Sequence, residues 1–108
     1  MASETPVLDT IAAMTLDSVE RSGLDGDALI LVRLAALAAV DAKPASYLMH
    51  VGPAVEAGVT IDQVQDILVA VAPIIGTART LSASIAITEA LGLAIAVVEA
   101  ELDEELEG

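Results

Sequence analysis

The stretch from His50 to Val71, "HVGPAVEAGVTIDQVQDILVAV", decides how this chain is read. Gly58, then Thr60, then Gln63 punctuate two helices. Glycine suits the left-handed position that follows a helix. A threonine with glutamine three residues on is a capping box, in which each side chain satisfies a free backbone N–H of the other residue. Beyond it Ile61, Val64, Ile67, Leu68 and Val71 recur at helical spacing, so a helix begins at Thr60. Upstream, Pro53 has no N–H to give to the carbonyl of Met49, and the Gly52–Pro53 pair predicts a kink or a break.

Working outward, the same grammar covers the chain. Pro6 suits a first helical position with Thr5 before it as cap, and Val7, Leu8, Ile11, Met14, Leu16 and Val19 form a broken apolar stripe ending near Gly23. A second helix begins after Asp25 or Asp27 and runs to about Ala42. Arg33 is its one polar residue between Ala28 and Val40, and a helix apolar on every side is a buried one. Pro44 opens a third helix, which Gly58 ends. The fourth helix is predicted to end near Pro73. The last runs from about Thr77 toward Leu106, with Ala78, Ser82, Ala83, Ser84 and Ala86 small enough for close helix contact. No segment alternates with strand period. The expected fold is all-α, one domain over 1–108 with about five to six helices.

Composition narrows the class. The chain has 108 residues, 56% of them apolar, and one histidine, one tyrosine and no cysteine. Mean hydropathy is +0.74. A single subunit of this size cannot hide that much apolar sequence, which predicts a homo-oligomer. The formal charge of -13 argues against nucleic acid and against anionic membrane surfaces. Arg33, Arg79 and Glu89 interrupt the apolar runs too often for a convincing membrane span. The start, "MASETPVLDT", has neither a basic segment nor an apolar one, so no secretion signal is expected and the expected location is cytoplasmic. The segment 99–108 is an acidic tail. Negative charge at a helix C-terminus opposes the macrodipole, so its end is expected to fray.

The order of these features resembles the carboxymuconolactone decarboxylase family, within the AhpD-like superfamily. The resemblance lies in "LVRLAALAAV", His50, the Ala54–Thr60 segment "AVEAGVT", the "QDIL" helix and Gly76, together spanning about residues 27–92. It implies an all-helical subunit assembled into trimers or hexamers. The peroxidase-like branch carries two cysteines ahead of its histidine, in the pattern C-x-x-C-x-x-x-H. With His50 as that histidine, the cysteine positions hold Lys43 and Ser46, so thiol peroxidase chemistry is not carried over. The decarboxylase branch needs no cysteine and handles small anionic lactone acids. Its tyrosine-containing Y-x-G turn is here Ile74-Ile75-Gly76.

Few side chains remain to carry chemistry. His50 lies three residues after Tyr47, which puts both on one helix face. They read either as an acid–base pair, with His50 moving a proton and Tyr47 orienting, or as packed, hydrogen-bonded residues. Arg33 and Arg79 are the candidate anchors for an anionic substrate, Arg79 beside the N-terminus of the last helix. Alternatively Arg33 forms a structural ion pair with Glu56 or Glu89, since a buried charge needs a partner. No carboxylate lies three or four residues from the one histidine, so neither a metal nor another cofactor is expected. Two functions follow. One is a cofactor-independent, decarboxylase-like lyase or ligand binder for a small anionic lactone or carboxylic acid. The other is a non-enzymatic oligomeric scaffold or interaction protein on the same fold.

Overall fold

The computed structural model describes residues 3–107, and they form five helices and no strand. The helices are α1 (Pro6–Arg21), α2 (Gly26–Ala39), α3 (Pro44–Glu56), α4 (Ile61–Ile75) and α5 (Thr77–Glu107). The chain is therefore all-α, as its periodicity predicts. α5 packs along α3, and α2 lies against α3, α4 and α5, while α1 has no comparable packing against any of them. The buried residues are Leu29, Ile30, Leu34 and Ala38 of α2, Tyr47 of α3, and Ala83, Ala86 and Ala90 of α5. The alanines recur at one helical face, which lets α5 sit close to its neighbours.

The joints have specific causes. Thr60 accepts from the Gln63 N–H at 3.1 Å, and the Gln63 side chain accepts from the Thr60 N–H at 2.9 Å. This is the capping box read from sequence. Thr60→Ala is expected to cost about 1 kcal/mol, seen as a lower urea midpoint with an unchanged slope. α3 ends in a Schellman motif: Gly58 has φ +79°, Val59 N–H donates to the Ala54 carbonyl at 2.9 Å, and Gly58 N–H donates to Val55 at 3.1 Å. Between α4 and α5, Gly76 adopts φ 87° and ψ 167°, a region that essentially only glycine enters.

Several boundaries differ from expectation. α2 ends at Ala39, not Ala42, because Asp41 takes a left-handed φ of 55° and closes a second Schellman motif, with Ala42 N–H donating to Leu37. α3 continues through Gly52–Pro53, whereas α4 ends at Ile75, near Pro73 as expected. Both prolines are exposed and in or near a last turn, where a carbonyl deprived of its N–H partner can meet water. α5 runs from Thr77 to Glu107, as expected to within a residue. α2 is not buried on all sides, since Val32 is exposed within one subunit. The stretch Thr77–Ala96 of α5 is long and apolar enough to cross a membrane by length and composition alone. It carries Arg79 and Glu89 and supplies three of the core alanines.

Candidate functional site

α3 presents Tyr47 and His50 to one cavity of about 190 Å³, walled by Leu34 of α2, Val64 and Leu68 of α4, and Ala90 of α5. Tyr47 is 1% exposed and is the largest fully buried side chain among the described residues. Its hydroxyl has no hydrogen-bond partner. Buried hydroxyls are nearly always paired, so this one is an exception within the core. Burial raises the Tyr47 pKa above its ordinary value, and the nearby Asp41 carboxylate adds to the shift, so the phenol keeps its proton.

His50 is half-buried. Burial lowers its pKa, and the positive charge of Arg33 lowers it further, so the ring is neutral at neutral pH. The two side chains together offer a protonated phenol and a neutral imidazole, one donor and one proton acceptor. The shift has a consequence for stability. The unfolded chain holds its histidine proton at the ordinary pKa of 6.5, while the folded chain gives it up at lower pH. Below 6.5 the unfolded state therefore binds more protons, and stability present above 6.5 is lost as pH falls through the folded value. Urea titrations of His50→Gln are expected to lose this slope, with the carboxylate-driven decline at lower pH retained.

The other candidates lie elsewhere. Arg33 does not line the cavity; its Nη2 donates to the Thr15 carbonyl at 3.2 Å and ties α2 to α1. The carboxylate partner expected for it is not there. Glu56 and Glu89 are exposed, and the one ion pair among the described residues is Arg21 with Asp17. A half-buried arginine is satisfied as well by a carbonyl, which brings no second charge to desolvate. Arg79 is exposed and donates to the Ala39 carbonyl at 2.8 Å, so it closes the C-terminus of α2. Lys43, Ser46 and the Ile74-Ile75-Gly76 turn do not line the cavity.

Two features of this region are hard to see in the sequence. Ser82 donates to Asp41 at 2.6 Å and, with Arg79, pins the α2–α3 joint to α5. The one signal is an aspartate after an apolar run, a residue type that tolerates left-handed backbone. Gln65, Ser84 and Thr88 also line the cavity, all exposed and brought together only by packing.

One family model, that of the carboxymuconolactone decarboxylases, matches this chain over residues 5–90. The chain belongs to the carboxymuconolactone decarboxylase family. The match extends beyond the 27–92 segment that carries the resemblance, toward the N-terminus and through α1. Its thiol-free character stands on the absence of cysteine. No curated protein and no solved structure gives a significant match.

Proposed function

We propose that this carboxymuconolactone decarboxylase-like protein binds a small compound of the lactone and carboxylic-acid class in the cavity beside His50, with Tyr47 and His50 as the polar end of the site. The observation that carries this reading is a cavity lined by both Tyr47 and a neutral His50, with the Tyr47 hydroxyl buried and unpartnered among the described residues. In turnover, Tyr47 would donate a hydrogen bond to a substrate oxygen, and His50 would accept and return a proton, with no cofactor. Arg33 acts at one remove, through its charge on His50, and Arg79 is engaged at the α2 terminus.

Thermal unfolding followed by far-ultraviolet circular dichroism tests this, because the chain is helical and has no tryptophan. A ligand at about 100 times its Kd adds about 2.7 kcal/mol, or about 12 °C in Tm for a domain of this size. A lactone and carboxylate panel is expected to raise the Tm of the wild type. Tyr47→Phe is expected to fold normally and lose most of that shift. Flat wild-type curves, or an undiminished shift in both Tyr47→Phe and His50→Ala, would overturn the reading.

The same reading includes a homo-oligomer, with trimers or hexamers the assemblies that the family resemblance implies. What supports it is surface. The subunit exposes 7625 Å². A folded monomer of 11.0 kDa exposes about 5,600 Å². The radius of gyration is 15.5 Å, against about 13 Å for a compact chain of this length. The excess of about 2,000 Å² exceeds the ~800 Å² that one partner contributes to a standard interface.

A further inference from the structure

We propose that the cavity holds the hydrocarbon part of its ligand, a six-membered ring or a branched alkyl group, and that this part binds with no polar group attached. This rests on the ligand-binding reading above and deepens it by naming what fills the walls. Four helices wall the space, with Leu34 of α2, Val51 of α3, Val64 and Leu68 of α4, and Ile87 and Leu91 of α5. All six side chains are aliphatic. Among the described residues the lining holds no aspartate, glutamate, lysine or arginine. A concave space of this kind binds through apolar contact, and its few polar groups only orient what enters.

Most of the polar lining is already engaged. Thr60 Oγ1 accepts the Gln63 N–H at 3.1 Å as the cap of α4. Thr88 Oγ1 donates to the Ser84 carbonyl at 2.9 Å. Gln65 and Ser84 are exposed, so their side chains meet water. His50 is left to face a polar group, and burial together with the Arg33 charge keeps its ring neutral at neutral pH. The aliphatic walls offer nothing that offsets the desolvation of a polar atom placed against them. Apolar surface gains by leaving water for the same walls. The volume agrees: an aliphatic cavity of about 150 Å³ stays dry and takes up benzene. This one measures about 190 Å³.

Benzene and pyrazine test this, since they share size and shape and differ only in two ring nitrogens that replace C–H groups. Each is titrated into the full chain near neutral pH while the methyl chemical shifts are followed. Tyr47 is the one phenylalanine, tyrosine or tryptophan of the chain, so ring-current shifts from an added ring stand out. Benzene is expected to shift the Val64, Leu68 and Ile87 methyls, to saturate, and to bind about tenfold or more tightly than pyrazine. Leu68→Trp, which fills the cavity from an only partly buried position, is expected to abolish that saturation, with the fold checked by circular dichroism. Pyrazine binding as tightly as benzene at these methyls would overturn the inference, and so would saturable benzene binding that survives in Leu68→Trp. Benzene shifts that never saturate, beside a lactone and carboxylate panel that raises the Tm, would overturn it and leave the ligand-binding reading standing. Failure of benzene and of the panel alike would overturn both.

Discussion

Tyr47→Ala is expected to cost about 3–5 kcal/mol of folding stability, the largest loss of any single truncation in this subunit. The reason is the composition of the core. Its other buried members are Leu29, Ile30, Leu34 and four alanines, so one aromatic ring fills a disproportionate share of the interior. Removing it leaves a cavity that the surrounding helices cannot close, because Ala86 and Ala90 opposite have no side chain to extend into it. A domain with about 5–15 kcal/mol in total would be brought close to unfolding. Tyr47→Phe separates shape from chemistry. It keeps the ring and deletes a hydroxyl that has no partner, so it should be close to neutral in urea denaturation or slightly stabilising. A large loss in Tyr47→Phe would mean that the hydroxyl is paired in the native protein, and the ligand reading would lose its carrying observation.

This contrast bears on what the sequence can and cannot disclose. Helix identities and most caps are legible because they are local: Gly58, Thr60 and Gln63 act within a few residues of one another, and so do Pro6 and Pro44 at helix starts. Local rules misplace ends where the surroundings change the balance. Pro53 removes one hydrogen bond, yet it does not stop its helix, because the freed carbonyl lies where the proline is exposed. Asp41 stops α2 three residues early through a backbone angle that composition does not reveal. The site is half legible. The spacing of Tyr47 and His50 puts both on one face of α3, and both line the cavity. The partners of the arginines are not legible, since Thr15 is 18 residues from Arg33 and Ala39 is 40 residues from Arg79, and both acceptors are backbone atoms that every residue owns. Looking for carboxylates to pair with arginines therefore points to Glu56 and Glu89, which the fold leaves in solvent.

The other large effect is expected from α1, where charge placed on the apolar stripe should change the mass of the particle. α1 has no buried residue, and its recorded side-chain tie to the rest of the subunit is the bond from Arg33 to the Thr15 carbonyl. Ile11 and Val19, 38% and 46% exposed, lie on either side of Thr15 along the helix. A 16-residue helix is barely stable alone in water, so an α1 with an uncovered apolar stripe needs a surface to lie on. A neighbouring copy would supply one, since Leu81, Ile85, Leu93 and Ile95 of α5 are also uncovered. Wild-type protein is then expected to sediment at a multiple of 11.0 kDa, and the double variant Ile11→Asp, Val19→Asp at 11.0 kDa itself. Because neither position belongs to the core, helicity over α2–α5 should persist in the variant, and dissociation can be told from unfolding by circular dichroism. Wild type that sediments as a single 11.0 kDa chain at micromolar concentration would remove the oligomer from the reading. An assembled double variant would place the interface on α4 and α5, where Val69 and Ile74 are 73% and 85% exposed, and would leave α1 as an arm with another role.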